Sequence, residues 1–587
     1  MVRIIIIGLL ILASLSAFSQ QHEKDTIALE KKHPLSDWFT ESKYALFLHW
    51  GLYSQYSNQW KGKTVYGIGE WIMYLAKADI KEYEAAAQLF NPVRFNATEW
   101  VQIAKNAGMK YIVITAKHHE GFAMFNSFHP FNITRATPFK RDPLKELADA
   151  CAKEGIGLGF YYSQFQDWHE INDWSKDLPK QSFSAYFKNK CIPQVKELLT
   201  NYGPISLIWF DTPGEMTKEQ SLELVKLVKQ YQPRALINSR IGNGVGDYET
   251  YGDHEIPVKN VQGLWEAINT SNDSWGFAWY DENWKTTDVM ARDLVSVIAR
   301  GGNYMLNIGP KADGTLPKFN VDQILTVGKW IRQYPDAIYG ATASPWLQAF
   351  PWGDVTVTKN KLNLFVFDWK PGTNIWLTGI ANKIKSVVTK GTNEKLKYSF
   401  NEGVLKIELP VRLSNQLLEC IQVELEGEPR VQAAMAIDPS YPTTLSAAFA
   451  TTKGTAFNKL SWMEKFGEWK HRTVINKWNQ QASAASWETN FLEPGYYQVE
   501  IDYHGCKESD GTVMDLFINN SDTLRMYLTA TTGAKEADGD RPRFRRTKAG
   551  IIKVDRTGMA TITLVRAKAE AIGDIHIAGI QLSRTSF

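Results

Sequence analysis

Between about Trp38 and Tyr339, short apolar runs alternate with stretches in which apolar residues return every three to four positions. The runs YIVIT (Tyr111 to Thr115), IGLGFYYS (Ile156 to Ser163), ISLIWFD (Ile205 to Asp211) and ALINSR (Ala235 to Arg240) predict strands. Between them, ATEWVQIAKNAG, PLKELADACAKEG, VKELLTNYG and SLELVKLVKQYQ carry the period of amphipathic helices, and several end in glycine. Strand and helix alternating in this way predict parallel βα units closed into a (β/α)8-like barrel. The polar residue ending each apolar run then stands at the C-terminal mouth of that barrel.

After YPDAIYG the period changes. VTVTKNKLNLFVFDW and LKYSFNEGVLKIELP alternate with period two and turn at Asn and Gly, which predicts a β-sandwich over 343–428. GEPRVQAAMAIDPSYPTT reads as a linker, bounded at 429–444. From 445 to 587, YYQVEIDYHG, VMDLFIN, GIIKVDRTGMATITLVRA and IHIAGIQLS predict a second sandwich. The expected fold class is α/β, a (β/α)8-like barrel domain over 21–342 followed by two β-sandwich domains.

The chain opens on MVRIIIIGLLILASLSAFSQ, with Arg3 before an apolar core from Ile4 to about Leu12 and small residues near Ala17 to Ser19. This reads as a signal peptide over 1–20, and predicts export to the periplasm or beyond the cell. Its apolar core is too short to span a bilayer comfortably, so no membrane span is expected in the mature chain. A formal net charge of +3 with scattered Lys and Arg argues against nucleic acid. Cys151, Cys191, Cys420 and Cys506 are widely separated and lack metal-ligand spacing, so buried free thiols are expected. The 21 Trp, 24 Tyr and 28 Phe suit large cores and equally suit stacking on sugar faces.

Several strand ends carry chemistry. YALFLHWGLYS places His49 and Trp50 after a strand, GEWIMY brings Glu70 and Trp71, and FYYSQFQDW brings Tyr161. ITAKHHEGFAMF ends a run on His118, His119 and Glu120. Asp211 closes LIWFD before a Pro-Gly turn, a fixed position suited to a nucleophilic carboxylate. Taken singly, each has a plain structural use: core histidines, a loop anchor, core tryptophans. A barrel brings them to one mouth, where several fixed donors and acceptors beside an aromatic wall make a carbohydrate pocket. The His-His-Glu run brings no third metal ligand with suitable spacing, so no metal is expected.

The motifs ALFLHWGLYS, GEW, TAKHHEGFAMFNS, YYS, LIWFD, SWGF and GGNYMLNIGPKADGTLP, in that order, resemble the α-L-fucosidases of glycoside hydrolase family 29. The resemblance covers about Trp38 to Tyr339. It implies retaining, metal-free and cofactor-free exo-hydrolysis of terminal α-L-fucose from fucosylated glycans or oligosaccharides, through a covalent fucosyl-enzyme. It implies Asp211 as the nucleophile, and His49, Glu70, Trp71, His118, His119, Tyr161 and Arg240 as the residues holding fucose hydroxyls. Trp275, in SWGF, matches an aromatic position near the C6 methyl. The two histidines are expected as donors to hydroxyls, with Glu120 turned away or salt-bridged behind them. A second carboxylate must protonate the leaving oxygen. In GDYETYGDHEIP, Asp253 matches by position; Glu266 in LWEAI and then Glu255 follow as candidates. Two other readings keep the same pocket: a catalytically silent fucose-binding protein, and a retaining glycosidase for a related sugar such as α-L-galactose.

The last segment is separate. ASWETNFLEPGYYQVEIDYHG resembles carbohydrate-binding β-sandwiches appended to bacterial hydrolases. Trp462, Trp469, Trp478 and Trp487 offer either a stacking platform or plain core. RPRFRR (Arg541 to Arg546) is a basic loop, either solvated or facing acidic glycans.

Overall fold

The computed structural model describes residues 37–171, 182–411, 417–432, 435–465, 467–478, 483–519, 521–533, 541–567 and 575–586. The expected signal peptide lies outside the described residues. Eight strands form one sheet: β1 (Tyr44–Leu48), β2 (Tyr111–Lys117), β3 (Gly157–Ser163), β4 (Leu207–Asp211), β5 (Leu236–Ile237), β6 (Glu249–Thr250), β7 (Trp265–Thr270) and β8 (Asn303–Ile308). Their order is β5-β4-β3-β2-β1-β8-β7-β6, and every pairing is parallel. A parallel bridge from Asn238 to Tyr248 brings the two edge strands together. The result is the barrel that the alternating pattern predicts.

Several of the helices between the strands start where the sequence supplies caps. Asn96 accepts from the Glu99 N–H at the start of α1 (Ala97–Asn106), and Asp142 from the Lys145 N–H at the start of α2 (Pro143–Glu154). Helix α2 ends at Gly155, whose φ of +68° favours a residue without Cβ. Helices α3 (Ile192–Asn201) and α4 (Lys218–Tyr231) follow, the latter opened by a Thr217–Gln220 capping box. The regular alternation stops after β5. There only a short turn, Ser239–Ile241, precedes β6, and the connection from β6 to β7 has no helix.

Strand alternation explains how the barrel makes a site. Ala45 and Phe47 of β1, Tyr161 of β3, Leu207 and Trp209 of β4, Ile268 of β7 and Met305 of β8 are buried together in one cluster. Side chains of a strand alternate faces, so the next residue in phase also points inward, one layer higher. Those residues are His49, Ser163, Asp211 and Asn307. Largely apolar layers thus fill the barrel, with the carboxyl of Glu266 buried among them, and polar side chains cap it.

Behind the barrel, a four-stranded and a three-stranded antiparallel sheet, drawn from Gly353–Thr358 through Glu419–Leu425, pack around their own core. Two six-stranded sheets then make the C-terminal sandwich. The stretch expected as a linker is built into structure instead. Val431 bridges to Ile380, Met435–Ile437 pairs with Ala484–Phe491, and Thr443–Ser446 pairs with Ile575–Thr585. Ile437 is buried in the core of the C-terminal sandwich and Tyr441 in the core of the preceding one, so the stretch serves both. Cys151, Cys191, Cys420 and Cys506 are all buried, and Cys151, Cys191 and Cys420 are free thiols. Among the described residues, no helix is long and apolar enough to cross a membrane.

Candidate active site

The mouth of the barrel holds a cavity of about 430 Å3. His49, Glu70, Trp71, His118, His119, Tyr161, Asp211, Arg240, Asp253 and Trp275 all line it. Asp211 stands at its centre. Its backbone N–H donates to Gln164 Oε1 at 2.8 Å. Its Oδ2 accepts the Tyr161 hydroxyl at 2.8 Å, and its Oδ1 accepts Arg240 Nη1 at 3.1 Å. Arg240 reaches further, donating Nη2 to Asp253 Oδ1 at 2.6 Å and to the Tyr251 carbonyl at 3.0 Å. Burial works against the guanidinium charge, but Asp253 and Asp211 outweigh it and raise its pKa. The guanidinium also lies 4.9 Å from the Trp209 ring centroid. Just after the carboxylate, Thr212 has a φ of +49°, an uncommon conformation for a β-branched residue.

The histidines are neutral. Burial pushes His49 down to about 4, His119 down to about 3 and His118 well below its ordinary value. Their tautomers follow from their partners. Asn307 gives its amide N–H to the Trp275 carbonyl, so its Oδ1 accepts from His49 Nδ1 at 2.8 Å. Ser163 donates to the Gln166 carbonyl, so its Oγ accepts from His119 Nδ1 at 2.7 Å. Both rings therefore keep Nε2 as a lone-pair acceptor. The 3.7 Å approach of His119 Nε2 to Asp211 is for that reason not an ion pair. The expectation that His119 donates to hydroxyls is corrected: its free nitrogen accepts. His118 stacks on Tyr161 at 5.4 Å, and its buried Nδ1 has no hydrogen-bond partner in the protein.

Glu120 turns away from the cavity. It accepts from the backbone N–H groups of Leu52 and Tyr53, at 2.8 and 3.0 Å, and from the Tyr83 hydroxyl. It therefore pins the turn that follows His49 and, among the described residues, forms no salt bridge. Glu70 does line the cavity, and its Oε2 accepts the Gly276 N–H at 2.7 Å. Burial pushes the Glu70 carboxyl up to about 8, so it is a neutral acid at pH 7 that can both donate and accept. Trp275 packs beside Phe47 and His49, and stacks on His254 at 5.4 Å. Among the described residues, no three His, Cys, Asp or Glu side chains gather in a way that could hold a metal ion.

The three acid/base candidates separate cleanly. Asp253 lines the cavity. Glu266 does not. It is fully buried, accepting the Tyr111 hydroxyl at 2.6 Å and Trp209 Nε1 at 3.0 Å, and burial raises it to about 7. Glu255 faces the C-terminal sandwich, ion-paired with Lys459 at 2.6 Å, and accepts the Gly252 N–H. Trp209 and Phe47 belong to the cavity wall although they were not singled out in the sequence. The signal was present, since each stands two residues before a polar mouth residue.

The four tryptophans of the last module do not form one platform. Trp478 and Trp487 are buried in the sandwich core, each giving its indole N–H to a backbone carbonyl. Trp462 stacks on Phe544, and Trp469 lines the barrel cavity. RPRFRR is engaged rather than free: Arg541 pairs with Glu464, and Arg546 with Gln581 and Asp502.

The neutral histidines make a stability prediction. An unfolded histidine titrates near 6.5. Because its folded value is depressed, His119 contributes stability that is present above pH 6.5 and lost as pH falls toward 3. Glu70 and Glu120, both raised to about 8, act in the opposite sense, so the whole-protein curve mixes the two. The single-site difference isolates His119. Relative to wild type, His119→Gln is expected to gain about 1 kcal/mol per pH unit as pH falls from 6.5 to 4.5. Urea denaturation at three pH values measures it, and a pH-independent difference would show that the ring protonates freely in the fold.

Comparison with known proteins gives one answer. A family model described as alpha-L-fucosidase matches residues 10–336. The chain is 26% identical over 474 residues to the α-L-fucosidase of Dictyostelium discoideum, covering 74% of this chain and 94% of that protein. It is 30% identical over 339 residues to the plasma α-L-fucosidase of Rattus norvegicus, covering 52% of this chain and 71% of that protein. Among solved structures it is similar to the α-L-fucosidase of Vibrio sp. strain EJY3, with a TM-score of 0.77 and 27% identity over 94% of this chain and 98% of that one. It is also similar to a GH29 α-L-fucosidase from Bacteroides thetaiotaomicron, trapped as a covalent intermediate with 2-fluoro-fucosyl fluoride. There the TM-score is 0.62 and the identity 27%, over 68% of this chain and 97% of that one.

Proposed function

This chain belongs to the α-L-fucosidase family of glycoside hydrolases, and we propose that it is an exo-acting, retaining α-L-fucosidase with Asp211 as nucleophile and Asp253 as acid/base. The observation that carries the reading is the Arg240 bridge, one guanidinium bonded to both cavity carboxylates at 3.1 and 2.6 Å. Retaining enzymes need two carboxyl groups ~5 Å apart, and a shared planar cation keeps such a pair close. In the first step, with Asp253 having taken up a proton from solvent, Asp211 attacks C1, the C1–O bond to the leaving sugar breaks, and Asp253 gives that proton to the departing oxygen. In the second, water attacks C1, Asp253 takes a proton from it, and the ester bond to Asp211 breaks. Fucose leaves with its α configuration restored.

The rest of the cavity suits the sugar. His49 and His119 offer acceptor nitrogens and Glu70 a protonated carboxyl, matching hydroxyls that donate and accept. Phe47, Ile268 and Trp275 make an apolar corner fit for a methyl group. The signal-like leader agrees with an exported enzyme meeting fucosylated glycans outside the cytoplasm. Proton NMR of the first minutes of aryl α-L-fucoside hydrolysis tests the stereochemistry. The α anomer of L-fucose is expected to appear first; initial release of the β anomer contradicts the double-displacement mechanism.

A further inference from the structure

One wall of the cavity does not come from the barrel. In the C-terminal sandwich, strands β9 (Ala456–Met463) and β10 (Trp469–Asn476) form a hairpin, and Met463, Gly467 and Trp469 at its tip line the same cavity as Asp211 and Asp253. The tip is seated closely. A Cβ at Gly467 would come within 2.4 Å of Ile68 Cγ2 and 2.5 Å of the Asp273 carbonyl, and the φ of +85° also favours glycine there. Across the opening stand Tyr66 and Leu75, exposed at 65% and 40%, while Met463 is 40% exposed.

The hairpin also holds the loop that carries Asp253. His471 Nε2 donates to the Asp253 carbonyl at 2.7 Å, and Lys459 pairs with Glu255 at 2.6 Å. The Trp469 N–H donates to His254 Nδ1 at 3.1 Å, while Nε2 of the same ring meets Thr270 Oγ1 at 2.9 Å. Gly252 leaves room for this approach, since a Cβ there would lie 2.6 Å from His471 Cε1. Four consecutive loop residues thus touch the hairpin. Its tip is consequently held in register with the carboxylate that faces the leaving group.

We propose that this hairpin forms the leaving-group subsite, with Trp469 as the stacking face, and Met463 as the apolar edge, for the pyranose to which fucose is linked. The inference rests on the α-L-fucosidase reading above, with Asp253 on the leaving-group side. An exposed thioether and a half-buried indole thus line the opening beside the acid/base loop. A sugar ring offers apolar C–H faces to such surfaces, while its hydroxyls remain in water. The ligand class is therefore a fucosylated oligosaccharide rather than a small fucosyl alcohol. The C-terminal sandwich belongs to the site and is not a detached binding module.

The test compares two substrates differing only in the leaving group. One is α-L-fucosyl fluoride, which puts no sugar in the subsite. The other is the best cleaved of the α1,2-, α1,3-, α1,4- and α1,6-linked fucosyl disaccharides. For Trp469→Ala, the ratio of kcat/KM on the disaccharide to kcat/KM on the fluoride is expected to fall about five- to tenfold below wild type. Trp469→Phe should recover most of that ratio. Met463→Ala, at an exposed tip position where folding is not at risk, should lower it about twofold. Ratios equal to wild type in both alanine variants overturn the inference, as does a wild type that turns over the fluoride but no disaccharide. A wild type inert on the fluoride as well overturns the underlying glycosidase reading first.

Discussion

Replacing Asp211 with alanine is expected to lower kcat on every fucoside by roughly 10^4-fold or more, the scale seen when an enzyme loses its nucleophile. The side chain is fixed by its strand, its backbone N–H to Gln164, and donors on both carboxylate oxygens. No neighbour can replace it: Tyr161 and Arg240 present donors, and Asp253 lies on the far side of Arg240. The alanine variant leaves room for a small anion beside C1. Added azide should therefore restore part of the rate and give β-L-fucosyl azide, the product of a single inversion. Asp211→Asn keeps the shape and should stay inactive without rescue, which separates lost nucleophilicity from lost packing. Activity within tenfold of wild type in either variant sinks the assignment.

The second large effect is expected at Asp253, with a dependence on the leaving group. Asp253→Ala should lose roughly 10^2- to 10^4-fold in kcat/KM on a fucosyl disaccharide, the usual value of general acid help to a poor leaving group. On an aryl fucoside with an acidic phenol the same variant should lose far less in that parameter, because the phenolate departs without a proton. Glu255→Gln and Glu266→Gln are the controls. Glu255 is committed to Lys459, and Glu266 to Tyr111 and Trp209, so any loss there should be similar on both substrates. A split appearing at Glu255 and not at Asp253 would move the acid/base two residues along the loop.

Most of the barrel and its mouth could be read from the chain, because period and position carry the information. Asp211 ends an apolar run, and the strand's alternation puts it directly above Trp209 inside the barrel. Glu266 looked equally good in one dimension. It shares the inward face of β7 with Ile268, which lines the cavity, yet it stands two residues earlier and so one layer deeper, ~7 Å down the strand. Strand period tells which face a residue takes; it does not tell where along the barrel axis the filled core ends and the open mouth begins. The histidines were recognisable as pocket residues, but their acceptor role depended on Asn307 and Ser163, partners on other strands. Trp469 carried no local mark separating it from Trp478 and Trp487. Only the docking of the hairpin on the loop around Asp253 distinguishes them, a contact between residues more than two hundred positions apart.

The central claim, a covalent fucosyl-enzyme on Asp211, is tested most directly by trapping it. Incubation with 2-fluoro-fucosyl fluoride, followed by intact-mass measurement and peptide mapping, should give one fluorofucosyl group per chain, carried by the peptide containing Asp211. An active enzyme that gains no adduct, or carries it on any residue other than Asp211, contradicts the account.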